Sequence, residues 1–460
     1  MEEDEWATEE FRQARLGDKR RTERLIELAK ALGRNPERSI PLAVENQAAL
    51  KAAYRFFDND EIEENAILES HVQATYQRIK QVGLVLAPQD TTYIDWSHHP
   101  DTEGLGPLAT ENRYGLVAHS TIALTPERVP LGVLQQQVWA RETETYGKLE
   151  DHKQRVIEDK ESMKWLTSLE SVNAAGKASP HTHFLSIGDR EADVYDLFIM
   201  ERASNVDLLI RATRDRRVWK DEGPRIWSSV EAMPVAASIA VHVPRQKDRP
   251  ARMAELEVRW KKIIVRPPKH RTAEKLPNVT VWAVYANEPN PPEGAKKVEW
   301  MLLCTMEIHS TQEALTCLDW YCVRWEIEVW HKILKSGCRI EARQLKCADR
   351  LKRLLAIFSV VAWRILYATM LNRALPDECC TVFFEEYEWQ ALYCAVHKTN
   401  ILPDQPPSMH EAVHMVASLG GFIGRKQDGE PGVTVLWRGL QRLTDLASMY
   451  KLMRPSNTYG

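Results

Sequence analysis

The stretch that decides the fold is YCVRWEIEVWHKILK, which begins at Tyr321 and ends at Lys335. On a regular helix of about 100° per residue, Tyr321, Arg324, Glu328 and Lys335 lie at about 0°, 300°, 340° and 320°. One face within an arc of about 60° thus carries a phenol, a guanidinium, a carboxylate and an ammonium. Glu326 lies at about 140°, on another side of the helix. An i,i+4 ion pair explains Arg324 and Glu328 but not the whole row.

Two aspartates elsewhere follow short apolar strands. Asp90 ends Leu-Ala-Pro-Gln-Asp, and Asp189 ends Leu-Ser-Ile-Gly-Asp. A carboxylate at a strand end is held rigidly and stays accessible, as a metal site requires, although such aspartates are also ordinary turn formers. With Glu328 they supply the hard oxygen ligands that suit Mg²⁺, and two ions about 4 Å apart can promote in-line phosphodiester displacement. The pattern predicts metal-dependent chemistry on a phosphodiester, with Arg324 and Lys335 beside the phosphate.

The charge of the chain is distributed unevenly. The 460 residues include 61 Lys or Arg and 65 Asp or Glu, a net charge of −4, which argues against indiscriminate coating of nucleic acid. Residues 211–275 nevertheless hold 17 basic and eight acidic residues, a local net of +9. A solvated loop region is the plain alternative, but this excess favours a surface that faces a polyanion.

Several classes of protein are excluded. No run of about 18 apolar residues exists, and the nearest, Leu354 to Trp363, indicates a buried helix. The acidic start MEEDEWATEE argues against a signal peptide. The eight cysteines form no C-x-x-C pair, which favours free thiols over zinc binding. We expect a cytoplasmic protein that does not associate with membranes.

The order of patterns predicts a mixed α/β fold between helical ends. Residues 1–70 contain an amphipathic helix with Asp18 as its N-cap. Strands then alternate with helices, and Leu116–Leu124 with Val129–Val138 indicates a hairpin. Near the C-terminus, Ser408-x-x-Glu411 forms a capping box. The last helix spaces an apolar seam typical of a core or an interface, made of Leu436, Leu440, Leu443, Ala447 and Tyr450.

Taken together, these motifs resemble the DDE transposases of bacterial insertion sequences, in the group around transposon five. That group carries the signature Y-x2-R-x3-E-x6-K, which stands here as Tyr321-x2-Arg324-x3-Glu328-x6-Lys335. Blocks in the family order run nearly the full length of the chain: LGDKRRTERL, AYRFF, QDTT, GDREADVYDL, RPAR, EWMLLCT, RWEIEVWHK and SLGGF.

The resemblance implies an α/β fold, with an RNase H-like catalytic core that carries a β-rich insertion and is flanked by helical N- and C-terminal domains. It implies a DNA-end-binding domain at 1–70, a catalytic domain at 71–375 with a basic insertion at about 212–300, and a dimerisation domain at 376–460. The capacity of the last domain to pair subunits gives the apolar seam added weight as part of an interface.

Residue roles follow from the same resemblance. It implies that Asp90, Asp189 and Glu328 are catalytic and bind metal, with two Mg²⁺ ions per site and Mn²⁺ as a substitute. It implies DNA contacts for three sets of residues: Tyr321, Arg324 and Lys335 near the cleaved end and a flipped base; Trp300 as a stacking platform and Arg211 on a phosphate; and Arg20, Arg21 and Arg24 on the terminal repeat. His98, His99, His119 and the pair His181-x-His183 receive no role.

The implied activity is cut-and-paste transposition. A homodimer would bind double-stranded DNA at both element ends, cleave by hydrolysis and hairpin formation, and join the 3′ ends to target DNA. Such a protein would be bacterial and would associate with the nucleoid when bound to DNA. Two alternatives stay open: a non-transposing RNase H-like nuclease, and a regulator that binds DNA ends without catalysis.

Overall fold

The computed structural model describes residues 5–142, 161–243, 250–425 and 427–453. These residues form two compact units. The first holds the described residues of Met1–Gln81, Thr91–Gly147 and Glu326–Gly460, and the second holds those of Val82–Asp90 and Lys148–Trp325. The predicted domain ranges 1–70, 71–375 and 376–460 divide the chain differently and stay a prediction.

Helices occupy both ends of the described chain and alternate with strands between them. The helices are α1 (Glu5–Phe11), α2 (Lys19–Arg34), α3 (Ile40–Ala43), α4 (Gln47–Phe57), α5 (Glu64–Ile79), α6 (Met163–Ala178), α7 (Tyr195–Ile199), α8 (Ile226–Glu231), α9 (Thr311–Val323), α10 (Trp325–Lys332), α11 (Ala348–Ala374), α12 (Glu386–His397), α13 (Met409–Leu419) and α14 (Val433–Met453).

The strands lie between α5 and α9. They are β1 (Leu84–Asp95), β2 (Gly106–Pro107), β3 (Tyr114–Leu124), β4 (Pro130–Trp139), β5 (His183–Gly188), β6 (Val206–Arg211), β7 (Ala237–Val243), β8 (Arg252–Val265), β9 (Val279–Asn287) and β10 (Glu299–Cys304).

The second unit contains a mixed sheet in the order β1-β5-β6-β10-β9-β8-β7. The pairs β1 with β5 and β5 with β6 are parallel, as expected where helices connect successive strands. From β10 to β7 every pairing is antiparallel. This antiparallel part contains the predicted β-rich insertion.

The first unit is built around the long helix α11 and the hairpin β3–β4. The hairpin was predicted and is confirmed, with antiparallel pairs from Val117 opposite Trp139 to Leu124 opposite Pro130. By length and composition α11 could cross a membrane, but 89% of its most apolar 18 residues are buried, as in a core helix. The Trp363 indole N–H donates to the Pro130 carbonyl at 2.8 Å, which anchors α11 to β4.

A buried polar cluster joins α1, α5 and the hairpin within this unit. The His71 Nε2 accepts the Val133 backbone N–H at 2.9 Å, so Nδ1 carries the proton and donates to Glu10 at 2.5 Å. Arg78 also donates to Glu10, at 2.7 Å. Burial lowers the pKa of His71, and it outweighs the Glu10 charge that would raise it.

The caps predicted at two helix starts are confirmed. Asp18 accepts the Arg20 backbone N–H at 2.8 Å, and hydrogen bonds from Arg20 lower the pKa of Asp18 to about 2. The Ser408 hydroxyl accepts the Glu411 N–H at 3.2 Å, while Glu411 accepts the Ser408 N–H at 2.8 Å.

The apolar seam of α14 is internal rather than an exposed interface strip. Leu436, Leu443 and Ala447 are buried in a core with α12 and α13, and Leu440 and Tyr450 pack partly buried against it. The exposed apolar residues of α14 lie elsewhere on the helix, at Leu446, Met449, Leu452 and Met453. The eight cysteines are free thiols, as predicted.

Candidate active site

Asp90 lies on β1 and Asp189 directly follows β5, its parallel neighbour in the second unit. Pairs from Leu84 opposite His183 to Pro88 opposite Ile187 share one constant offset. The same offset continued along both strands places Asp90 beside Asp189, and adjacent strands are about 4.8 Å apart. The Gln89 amide donates to the Ser186 hydroxyl at 2.7 Å and fixes this register from within the sheet.

The two aspartates are positioned differently from each other. Asp189 follows β5 directly, as predicted, and one of its carboxylate oxygens caps a short 3₁₀ turn by accepting the Glu191 N–H at 2.8 Å. Asp90 was predicted at a strand end, and this is wrong because β1 continues through it to Asp95. Asp90 instead lies just past the last pair that β1 makes with β5.

A group of basic and aromatic side chains surrounds the aspartates in the same unit. The Arg324 guanidinium lies 3.7 Å from an Asp90 carboxylate oxygen. Burial raises the pKa of Tyr321, as does the charge of Asp189, whereas the nearby Arg324 and Arg211 oppose the rise. Burial lowers the pKa of Arg211, which donates to the Glu299 carbonyl at 2.9 Å and hydrogen-bonds with Tyr321.

Trp300 lies next to this group. Its ring centroid is 6.1 Å from that of Tyr321, and the two ring planes are inclined by 57°. Trp300 is partly exposed on β10, opposite Ala286 of β9. The second unit therefore brings together Asp90, Asp189, Arg211, Trp300, Tyr321 and Arg324.

Glu328 and Lys335 belong to the first unit. Glu328 is partly exposed on α10, whereas Glu326 is buried and accepts from Arg128 at 2.9 Å. Lys335 lies in a π-helical turn, Ile333–Gly337, and donates to the Tyr93 carbonyl at 2.5 Å. The prediction of one regular helix over 321–335 is wrong because α9 ends at Val323 and a π turn has a different angle per residue.

The three arginines predicted to contact a DNA end lie near the start of α2. Arg20 is 87% exposed and pairs with Asp18 at 2.8 Å. Arg21 is less exposed and donates to the Leu16 carbonyl at 3.0 Å as well as to Glu61. Arg24 pairs with Glu27 at 2.6 Å. Arg20 is thus the most available of the three, while Arg21 also has a structural function.

The positive charge of the basic segment 211–275 is partly neutralised by acidic residues from other parts of the chain. Three of its arginines pair with acidic residues outside the segment: Arg216 with Asp193, Arg271 with Asp196 and Arg252 with Glu288. Other basic residues line one surface cleft, namely Arg214, Arg217, Arg225, Arg266 and Lys269. Within the described part of the segment, this cleft groups basic side chains in a way that suits a polyanion.

The histidines that received no role from the sequence lie on strands or near a strand end. His119 is buried on β3, with Nδ1 2.9 Å from the Thr91 hydroxyl. His183 pairs with Asp207 at 3.1 Å. His98 and His99 lie in the turn after β1.

A cluster that the sequence analysis missed consists of His410, His414 and Glu430. The four-residue spacing of the two histidines on a helix could have indicated it.

The chain matches three family models. One described as the transposase DDE domain matches residues 165–363, and one described as transposase DNA-binding matches residues 3–62. These two define an enzyme that cleaves DNA and transfers strands. The third, the transposase Tn5 dimerisation domain, matches residues 360–458. The chain belongs to the Tn5-like DDE transposases.

A solved structure of the piggyBac transposase synaptic complex with hairpin DNA also aligns with this chain. The alignment covers 99% of this chain and 81% of that one, at 7% identity and a TM-score of 0.38. A likeness this weak carries no argument. The predicted fold, an RNase H-like α/β core with a β-rich insertion and helical flanks, is confirmed by the mixed sheet and the DDE domain.

The DDE domain implies dependence on a divalent metal. The donor set fits such an ion, since the register of β1 with β5, continued by two residues, places the carboxylates of Asp90 and Asp189 side by side. The Arg324 guanidinium, 3.7 Å from an Asp90 carboxylate oxygen, lies close enough to contact a phosphate held beside the same carboxylate. The matched domains also indicate DNA and a second subunit as partners.

Proposed function

We propose that this transposase acts by a cut-and-paste route at the inverted ends of a mobile element. Its catalytic carboxylates are Asp90, Asp189 and Glu328, which would hold two Mg²⁺ ions, with Mn²⁺ as a substitute. The main support is the shared register of Asp90 and Asp189 in a chain that matches the DDE domain. The assignment of Glu328 rests on the Y-R-E-K signature and on the competing Glu326 being buried and paired with Arg128.

Bound metal would supply Lewis-acid stabilisation of the charge that develops on the phosphodiester. The residues of the chain would orient the DNA. Arg211 and Arg324 provide guanidinium groups that bind phosphate oxygens bidentately. Tyr321, held by Arg211, would fix the position of the nucleotide at the cleaved end.

The proposed reaction begins with attack of water on one strand, which frees a 3′-hydroxyl. That hydroxyl attacks a phosphodiester of the opposite strand, which forms a hairpin and releases the flanking DNA with a 3′-hydroxyl. A second water opens the hairpin, and the regenerated 3′-hydroxyl attacks a phosphodiester of target DNA, where a target 3′-hydroxyl is the leaving group. Hairpin formation requires a sharp bend, and a base flipped out of the stack needs a platform. Trp300, partly exposed beside Tyr321, offers the aromatic surface for such stacking.

DNA contacts would extend to the first unit. We propose that Arg20, Arg21 and Arg24 bind the terminal repeat, within the range that the DNA-binding model matches. Lys335 would approach the cleaved end. Two subunits would bring the two ends together in a synaptic complex on bacterial DNA, which agrees with the dimerisation match.

The decisive experiment uses Asp189→Asn with Glu191→Gln as the matched control. Both change one carboxylate to an amide within the same turn, but Glu191 is exposed and pairs with Lys164. With the DNA that flanks its own coding sequence and Mg²⁺, the Asn variant should bind the ends and fail to cut them. The control should cut normally, and normal cutting by Asp189→Asn would refute the assignment.

A second pair tests the acid on α10. Glu328→Gln should abolish cutting without loss of folding, whereas Glu326→Gln should lower the melting temperature because it weakens the hydrogen bond that the buried Glu326 accepts from Arg128. Joining of a pre-cut 3′ end to a plasmid separates a transposase from a nuclease. Cleavage without joining would favour the nuclease, and binding without either reaction would favour a regulator.

A further inference from the structure

A second set of metal-ligating side chains lies in the C-terminal part of the first unit. His410 and His414 are one turn apart on α13, and Glu430 reaches them from the loop that precedes α14. Each offers one ligand atom, and these atoms lie within 4.8 Å of one another. The imidazole centroids are 4.1 Å apart, and His414 Nε2 lies 3.2 Å from a Glu430 oxygen.

The third ligand is held in place by the helix below it. The Asn372 amide of α11 donates to the same Glu430 oxygen at 2.9 Å. Burial would raise the pKa of Glu430, but hydrogen bonds from Asn372 and His414 and the charges of both histidines together lower it. Such a partner orients a ligating carboxylate. The side chains of His414 and Glu430 are 31% and 46% exposed, so an ion could enter from solvent.

The donor set selects the kind of ion. Two imidazole nitrogens four residues apart on a helix, with one carboxylate oxygen, match the ligands of Zn²⁺, which binds them at about 2.0–2.2 Å. Mg²⁺ prefers oxygen ligands alone. Tetrahedral bonds of that length place ligand atoms about 3.4 Å apart, so small side-chain rotations would close the site.

We propose that His410, His414 and Glu430 form a Zn²⁺ site that clamps α13 to the segment leading into α14, with water as the fourth ligand. The region lies within the range that matches the dimerisation domain, residues 360–458. Occupation of the site would stabilise that region independently of the catalytic carboxylates.

A hydrolytic function for this site is disfavoured by its own geometry. The run His410-Glu411-Ala412-Val413-His414 has the spacing of zinc metalloproteases, in which the middle glutamate is the general base. Here the Glu411 carboxylate accepts the Ser408 N–H at 2.8 Å and closes the capping box of α13. The carboxylate is committed to the helix start, so the site binds a metal without a general base.

The test is calorimetric titration of Zn²⁺ into the full chain in excess Mg²⁺, which fills sites made of oxygen alone. One ion per chain should bind, and the melting temperature should rise. Glu430→Gln and His414→Ala should each weaken binding at least about ten-fold, whereas the control His397→Ala on α12 should bind like the parent. Bound Co²⁺ should show the visible absorption of a site with nitrogen ligands, and His414→Ala should reduce it.

Two results would overturn the proposal. One is a parent chain that binds no Zn²⁺ under these conditions. The other is a correctly folded Glu430→Gln variant, checked by circular dichroism, that binds Zn²⁺ as tightly as the parent. Because catalytic activity is not measured, this outcome does not depend on the proposed transposition mechanism.

Discussion

Gly188 is the position where a single methyl group should reveal how precisely Asp189 is held. It ends β5, directly before the aspartate. A Cβ at this position would lie 2.4 Å from the Ala192 Cβ and 3.0 Å from the Ile210 Cδ1. Carbon atoms in contact are normally about 3.5–4.0 Å apart, so Gly188→Ala must open the turn by about 1 Å.

The size of the effect follows from that displacement. Overpacking of this kind costs about 1–3 kcal/mol, and the melting temperature should fall by a few degrees. A displacement of about 1 Å in a catalytic group can slow a reaction about 100-fold. We therefore expect Gly188→Ala to cut element ends about 10–100-fold more slowly while it still binds them.

A compensating variant tests whether the contact with Ala192 causes the effect. Ala192→Gly removes the nearer clash, so the double variant Gly188→Ala/Ala192→Gly should regain most of the cutting rate, with Ala192→Gly alone as its control. The assay is single-turnover cleavage of end DNA with Mg²⁺. Parental rates for Gly188→Ala would refute the rigid placement of Asp189, and failure of the double variant would refute the Ala192 contact as the cause.

Three further predictions concern separate parts of the chain. Burial lowers the pKa of His71. Below about pH 6.5 the unfolded chain therefore binds more protons than the folded chain. The melting temperature should fall from pH 7 to pH 5, and the fall should be less steep in His71→Asn. If the proposed hairpin forms, Trp300→Ala should reduce its yield in the cleavage assay by removing about 1–3 kcal/mol of stacking per base, whereas Trp219→Ala, which removes an exposed indole, should not. Arg20→Ala should reduce the salt dependence of end binding by about one phosphate contact at unchanged melting temperature; Arg21→Ala should also lower the melting temperature, because it removes the bonds to Leu16 and Glu61.

Local structure could be predicted from the sequence wherever neighbouring residues determine it. The Asp18 cap, the Ser408–Glu411 capping box and the β3–β4 hairpin each depend on a few adjacent side chains, and each formed as predicted. Asp189 after β5 belongs to the same group, since a tight turn follows the strand.

Structure that depends on pairing between distant segments could not be predicted from the local sequence. The apolar run Val82 to Ala87 is followed by Pro88-Gln89-Asp90, so the sequence suggested that the strand ends before Asp90, yet β1 continues to Asp95. Strand length depends on neighbouring strands, and Trp96 after β1 still donates to the Tyr114 carbonyl at the start of β3, at 2.9 Å. The π turn at Lys335 is similar, because one residue added to a helix leaves no composition signal.

The net charge of the basic segment 211–275, as counted from the sequence, is larger than the charge that remains after its arginines pair with acids from elsewhere in the fold. Residues 211–275 carry +9 in sequence, but Arg216, Arg252 and Arg271 pair with acids from outside the segment, which leaves +6 for interactions with DNA. Each phosphate contact adds about 0.9 to the slope of the logarithm of the DNA-binding constant against the logarithm of the salt concentration. The largest slope that this segment could contribute therefore falls from about 8 to about 5. The three paired arginines hold the strands and turns together instead. Among the described residues, several of the remaining basic side chains gather in the cleft lined by residues such as Arg217 and Arg266, and a polyanion bound there would contact only part of the basic segment.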